Sequence, residues 1–469
     1  MRAETFIAKS SDALQDSSLQ RALAKANTGF VSKRTQAIED CDDFDALKAC
    51  AKEARDYALD HLPELLETFE QNVLAAGGQL HWAETPEQMQ EIVVDICRQQ
   101  NARYITKGKS MVSEEVHLNQ VLESAGFIVD ETDLGEYIIQ LAGETPSHIV
   151  APAIHKTRDD IEALFRQYHP LGERSLAEVE QIVNEAREVI RERFLRADVG
   201  ITGANMLIAE TGQAVLVTNE GNGDLTSSLP NCHIVTASIE KLIANSSHAS
   251  AVLRVLARSA TGQAITAYTS FFSGKKRDAD HDGPAEFHVV LLDNGRSDML
   301  NNSFRPMLRC IKCAACMNHC PVYQNVGGHA YNAVYPGPMG SVLTPLLRGE
   351  AGDYSLPNAS SACGRCDAVC PVGIPLTDLM RELRGHPQGV SRLTSVVVGL
   401  HSRVARAPHL YRCLSNIAVR LIRLAMPRPS SGKHLPFTSA WTKHKQLPQL
   451  PKQSFQQQWA KHQRNRHGQ

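Results

Sequence analysis

A chain of 469 residues, 42% hydrophobic and 21% charged with a net charge of −2, has the make-up of a globular protein of about three domains, large enough to bury a core without disulfide staples. No stretch approaches the ~20 apolar residues of a membrane span. Met1–Phe30 mixes Glu4, Lys9, Asp12, Asp16, Arg21 and Lys25 among apolar residues and lacks the apolar run of a secretory signal, so a cytoplasmic protein, at most peripheral to a membrane, is expected.

Residues 1–75 read as an N-terminal helical region. Leu47, Ala51, Ala54, Tyr57, Ala58 and Leu62 recur at helical spacing, and Ala75-Ala76-Gly77-Gly78 ends the run as glycine ends a helix. Residues 76–298 alternate between β-rich and helical stretches. Strands are predicted at Arg103–Thr106, Gly126–Asp130, Ser147–Ala151, Ala214–Thr218, His233–Ala237 and Phe287–Asp293, and helices at Glu87–Gln99, Ser113–Ala125 and Leu176–Ala197. That alternation implies an α/β domain with a mainly parallel sheet. No G-x-G-x-x-G fingerprint is present; Gly221-Asn222-Gly223 comes nearest, but it has no third glycine and no helix is expected after it.

Residues 299–388 hold the chemistry. Seven of the twelve cysteines fall within the 61 residues from Cys310 to Cys370. Clustered thiols in a reducing compartment point to metal, whereas the scattered Cys41, Cys50, Cys97, Cys232 and Cys413 read as small buried hydrophobes. Cys310-x2-Cys313-x2-Cys316-x3-Cys320-Pro321 is the bacterial ferredoxin run, in which three close thiolates grip one cubane and the fourth reaches the other. Cys363-x2-Cys366-x3-Cys370-Pro371 repeats the pattern with Ser360 where the first cysteine would stand. Two iron–sulfur clusters follow, the first on Cys310, Cys313, Cys316 and Cys370, the second on Cys320, Cys363 and Cys366. The second is one thiolate short, which leaves open a 3Fe-4S centre or a 4Fe-4S centre with Ser360, water or substrate on the last iron. Structural zinc fits poorly, because it prefers two well-separated Cys-x2-Cys pairs. The 42 residues between Cys320 and Cys363 leave room for helices, and the pattern resembles the helical ferredoxin domains of succinate dehydrogenase iron–sulfur subunits. Arg309, Lys312 and Arg365 sit beside these cysteines, either to raise a cluster's potential or as solvated surface residues. The intervening Gly327-Gly328-His329-Ala330-Tyr331 and Tyr335-Pro336-Gly337-Pro338-Met339-Gly340 read as a tightly turned connection that packs, with a docking or cluster-covering role as the alternative.

Residues 389–469 form a basic C-terminal extension. From Val390 to Gln469 there are 14 Lys and Arg and no Asp or Glu, leaving 35 basic against 51 acidic residues before it. An amphipathic stretch (Leu393, Val397, Leu400, Val404, Leu410, Leu414, Ile417, Leu421) precedes a Pro-, Gln-, His- and Lys-rich end that reads as disordered. No nucleic-acid motif accompanies the charge, and docking within a complex is the expected use.

Cys-Ile-Lys-Cys-Ala-Ala-Cys-Met-Asn-His-Cys-Pro-Val-Tyr, the two glycine-rich segments after it, and Ala-Ser-Ser-Ala-Cys-Gly-Arg-Cys-Asp-Ala-Val-Cys-Pro-Val together resemble the lactate utilisation protein B family, and the resemblance covers nearly the whole chain. It implies that Ile201-Thr202-Gly203-Ala204 and Glu210-Thr211-Gly212 belong to a lactate-utilisation domain related to isomerase and CoA-transferase folds. It further implies an iron–sulfur electron-transfer subunit of a complex, of L-lactate dehydrogenase type, that oxidises L-lactate to pyruvate. The partners would be a second cysteine-rich oxidoreductase subunit and another lactate-utilisation-domain protein. A relay for a different dehydrogenase, and an iron–sulfur sensing or assembly protein, are the alternatives. The residues name no catalytic base. Lys107-Gly108-Lys109-Ser110 reads as an anion contact or, more simply, as a helix start capped by Ser110 or Ser113; Glu210 reads as a functional carboxylate near a strand turn, as the related folds imply, or, more simply, as a solvated turn acid, and Asn219–Gly223 as a glycine turn or an anion cradle.

Overall fold

The computed structural model describes residues 3–347, 355–385, 392–425 and 453–467 and divides into two units, Met1–Gly389 and Val390–Gln469. Four helices open the first unit: α1 (Ala3–Gln15), α2 (Ser17–Glu39), α3 (Phe44–Asp60) and α4 (Leu62–Ala75). Asp16 starts α2 by accepting the Ser18 and Leu19 N–H groups. α3 buries Phe44, Leu47, Ala51, Ala54, Ala58 and Leu59 on one stripe; Tyr57, expected there, lies outside it and is exposed. α4 ends as expected, with Gly77 at φ +76° and the Gly78 N–H on the Val73 carbonyl.

Ten strands follow: β1 (Gln79–Ala83), β2 (Tyr104–Lys107), β3 (Ile128–Glu131), β4 (Val199–Gly203), β5 (Met206–Ile208), β6 (Gln213–Thr218), β7 (Cys232–Ser238), β8 (Leu242–Ile243), β9 (Tyr268–Phe272) and β10 (Glu286–Leu292). Six form a wholly parallel sheet in the order β1-β10-β7-β4-β2-β3; a smaller mixed sheet runs β8-β5-β6-β9. The chain leaves β2 toward β3 on one side and β4 toward β7 on the other, so the ends of β2 and β4 flank a topological switch point, where such sheets place their sites. Gly203 closes β4 there because a Cβ would meet Ser110 at 3.1 Å; the loop after β2 packs directly on it.

Four expectations are corrected. Ser147–Ala151 is not a strand: the His148 ring accepts the N–H groups of Val150 and Ala151 at 3.0 Å, folding the segment into a turn. Ser113–Ala125 breaks at His117 (φ +50°) into two helices, Met111–Glu115 and Leu118–Ser124. A helix, Asn222–Ser228, does follow Gly221. Of the scattered cysteines only Cys97 and Cys232 are buried; Cys41 is half-buried, and Cys50 and Cys413 are exposed.

The cysteine-rich part packs short helices, among them Ala315–Asn318, Gly337–Leu347, Arg365–Val369 and Leu376–Arg384, into the largest apolar cluster of the unit, shared with α3 and the helix Ser246–Ala260. In the second unit the amphipathic stretch forms helices Arg392–Ala405 and Pro408–Ala425, and Phe455–His467 is also helical. Most of the Pro-, Gln- and Lys-rich end expected to be disordered, residues 426–452, lies outside the described residues. Among the described residues no helix is long and apolar enough to cross a membrane.

Candidate metal centre

The two cysteine motifs share one backbone conformation. Lys312 (φ +57°) and Ala314 (φ +62°) flank Cys313; Ala362 (φ +54°) and Gly364 (φ +74°) flank Cys363. A left-handed residue other than glycine costs about 1–2 kcal/mol, so three of them here mark loops held by their surroundings. The correspondence sets Ser360 opposite Cys310, Cys366 opposite Cys316 and Cys370 opposite Cys320. The Ser360 hydroxyl accepts the Ala362 N–H at 3.1 Å.

Cys310, Cys313, Cys316 and Cys370 line one cavity, with Ile149, Met339, Val372, Ile374 and Leu376 as apolar wall. About 370 Å³ between them is free of protein atoms, part of it open to solvent. Ile149 comes from the corrected turn, which the Tyr323 hydroxyl holds through the Ser147 carbonyl (2.7 Å) and His148 holds through the Asn318 side chain (2.9 Å). Burial pushes the Cys313 thiol up to about 12 and that of Cys316 well above the ordinary thiol value, and the neighbouring thiols add to both shifts. Cys370 is raised by the same burial, although its sulfur receives the Ile374 N–H at 3.4 Å.

Cys320, Cys363 and Cys366 form a second group, with Cys320 within electrostatic reach of both others. Burial pushes Cys366 up to about 12, while the exposed Cys363 is lowered by the Arg365 N–H and the Ser361 hydroxyl.

This donor set fits iron–sulfur clusters. Thiols that burial keeps protonated become thiolates when metal cations replace their protons. Two buried donors without a partner among the described residues stand beside them: Arg34 Nε, whose guanidinium is near Cys313 and Cys370, and Tyr331 Oη, near Cys320 and Cys316. An anionic cluster with acceptor sulfurs suits both.

A buried ionic frame supports the motifs. Arg55, on α3, donates to the carbonyls of Glu240, Leu242, Leu308 and Arg309 and lies near Cys310. Arg296, fully buried, bridges Glu115 (2.7 Å) and Glu240 (2.9 Å). Burial raises the Glu240 carboxyl, but Arg296 and Lys312 outweigh it and hold the group down to about 2. Tyr335 donates to Glu115 at 2.6 Å, and Lys312 sits 4.1 Å from the centre of the Tyr335 ring. At the ends of β2 and β3, Lys107 pairs with Glu131 (2.8 Å) and Glu114 (3.0 Å), and burial pushes the nearby Glu136 up to about 8.

No local signal marks Arg34, Arg55 or Arg296. Their partners lie as far as 335 residues away, as with Arg34 and the Val369 carbonyl. Ser110 caps Met111–Glu115 through the Ser113 N–H, and Glu210 is an exposed turn acid. Asn219 pairs its amide with that of Gln263. Arg309 is held by Asp56 and the Gly373 carbonyl, and Lys312 by Tyr335, so neither is merely solvated.

Residues 66–292 match the LUD domain, 306–374 the 4Fe-4S dicluster domain, and 365–464 the C-terminal domain of lactate utilisation protein B. The fold and site therefore define an iron–sulfur protein in which a LUD domain with a mainly parallel sheet precedes a ferredoxin-type domain. Lactate utilization protein B of Bacillus velezensis is 43% identical over 81% of this chain and 79% of its own length. Those of a Geobacillus species and of Bacillus pumilus are 39% identical (96% of each chain) and 37% identical (98% of each chain). The chain belongs to the lactate utilisation protein B family. A solved DUF162 family protein from Deinococcus radiodurans aligns with 49% of this chain and 98% of its own at 17% identity, with a TM-score of 0.26, too low to bear on the fold.

Proposed function

We propose that this chain is the iron–sulfur electron-transfer subunit of a cytoplasmic complex that oxidises L-lactate to pyruvate. In this reading residues 1–75, 76–298, 299–388 and 389–469 are the helical region, LUD domain, ferredoxin-type domain and basic extension. Cys310, Cys313, Cys316 and Cys370 hold one 4Fe-4S cluster; Cys320, Cys363 and Cys366 hold a second that is one thiolate short, either a 3Fe-4S centre or a 4Fe-4S centre with Ser360, water or substrate on its last iron. The repeated backbone of the two motifs carries the assignment, and the cavity that joins Cys370 to the first three cysteines supports the exchange of ligands. Oxidation of a 2-hydroxy acid releases two electrons and two protons, and each cluster, when bound, supplies a one-electron site. Arg34 and Tyr331 then place positive charge and an O–H donor beside the sulfurs, which favours the reduced state. The partners are a second cysteine-rich oxidoreductase subunit and another LUD-domain protein, a setting supported by the names of the relatives.

Protein purified without oxygen is expected to be brown, with about seven or eight irons. Mixed with its partner subunits, it should lose visible absorbance when L-lactate is added. A colourless zinc protein overturns the cluster assignment; clusters that L-lactate never reduces overturn the substrate.

A further inference from the structure

A cleft of about 940 Å³ opens beside the switch point, walled by Met111 and Glu114 after β2, by Gly143–Pro146, His155 and Lys156 after β3, and by Gly328 and His329 in the loop that follows Cys320. Glu144, His155 and His329 each turn one ligand atom into it, all within 4.8 Å of one another. Donors about 2.0–2.2 Å from a common zinc ion stand roughly 3–4 Å apart, so small side-chain adjustments suffice. We propose that these three residues form a binding site for a divalent transition metal of the zinc type, separate from the seven clustered cysteines.

The hydrogen bonds around the site orient it as second-shell partners orient metal-bound histidines. His155 Nδ1 is 2.8 Å from the Ser147 hydroxyl, which donates onward to the Pro152 carbonyl. Here His155 Nε2 donates its proton to Glu144 Oε2 at 2.7 Å, so a bound metal ion would take that proton's place, with the ring proton on Nδ1, where the Ser147 hydroxyl can accept it. His329 donates its Nε2 proton to the Thr145 carbonyl at 2.7 Å, which leaves Nδ1 as its lone pair. Two neutral imidazoles and one carboxylate are the protein ligands of an open zinc site, and all three line the cleft, so the remaining coordination positions are reachable from solvent. The competing cation is Lys156, whose ammonium pairs with Glu144 Oε1. Glu144 and His155 belong to the α/β part and His329 to the loop between the cysteine motifs, so the ion would tie these two parts together.

The test uses the full chain, purified without oxygen with its clusters intact. It is equilibrated with zinc chloride, dialysed and analysed for zinc, iron and sulfide, and its zinc K-edge absorption is recorded. One zinc per chain in a nitrogen and oxygen shell with two imidazoles is expected. His155→Ala and Glu144→Gln should each weaken zinc binding by at least ~100-fold, and Ser147→Ala by about 10- to 100-fold, with iron and sulfide unchanged. Lys156→Ala, which removes the competing ammonium, should tighten binding. No retained zinc, a sulfur-ligated spectrum, or binding unaffected by His155→Ala and Glu144→Gln overturns the proposal. If a variant loses its iron, the ligand shell of the unaltered protein decides by itself.

Discussion

Replacing Arg55 by Met tests how far the cysteine motifs depend on the rest of the chain. The guanidinium is buried and its N–H groups reach four carbonyls: Glu240 and Leu242 in the α/β part, Leu308 and Arg309 just before Cys310. Each buried carbonyl stripped of its donor costs about 1–3 kcal/mol. Against this, removing the cation recovers several kcal/mol of desolvation. It also leaves the Glu240 charge one buried cation poorer. The net expectation is a loss of about 3–5 kcal/mol, the size seen when one partner of a buried ionic contact is removed. Arg55→Lys, which keeps the charge but not the planar fork, should lose less. Urea unfolding followed by tryptophan fluorescence measures the loss, and iron analysis of the folded fraction shows whether the segment before Cys310 still holds metal. A loss within about 0.5 kcal/mol, the scale of a surface substitution, together with full iron content, would refute the reasoning.

Ser360→Cys should complete the second ligand set and convert a three-iron signal in the low-temperature electron spin resonance spectrum toward a four-iron one; an unchanged spectrum argues against Ser360 as the open corner. Cys320→Ala should disturb the group containing Cys363 and Cys366 while sparing the other, so equal loss of both signals contradicts the exchanged ligation. Glu136 has its carboxyl raised to about 8 by burial, so its contribution to stability is fully present below about 4.5 and is lost as pH rises through 8; Glu136→Gln should therefore stabilise the protein more at pH 8 than at pH 5, as read by urea midpoints. Glu240 is shifted the other way, held down to about 2, so its contribution is present above about 4.5 and fades as pH falls toward 2; Glu240→Gln should lower stability at pH 7 and flatten the acid limb of the unfolding profile.

Most of the architecture was legible where one face of an element decides its pattern. α3 and the helix Pro86–Gln99 follow their apolar spacing, and β7 and β10, buried at nearly every position, read as strands from their Ile, Val, Leu and Phe content. β1, β4, β5, β8 and β9 were not predicted: two glycines interrupt the β-branched residues of Val-Gly-Ile-Thr-Gly, β5 and β8 span only three and two residues, and pairing with neighbours in the sheets defines all five. The turn at Ser147–Ala151 was misread because Ile149 and Val150 look like strand residues, whereas a side-chain acceptor, His148, captures the backbone. The seven cysteines were legible because a cubane needs several thiolates within a few residues. Arg34, Arg55, Arg296 and the grouping of Glu144, His155 and His329 were not, because each depends on residues that only the folded chain brings together.

The cavity that Cys370 shares with Cys310, Cys313 and Cys316 has a consequence for synthesis. A ribosome adding about 5–20 residues per second makes the first three thiols several seconds before the fourth, and in that interval no four-thiol set exists. The helices bearing Arg34 and Arg55, and the α/β part, are synthesised earlier still. Metal delivered before Cys370 leaves the ribosome would meet an incomplete ring of thiols, which places loading at the end of translation or after it.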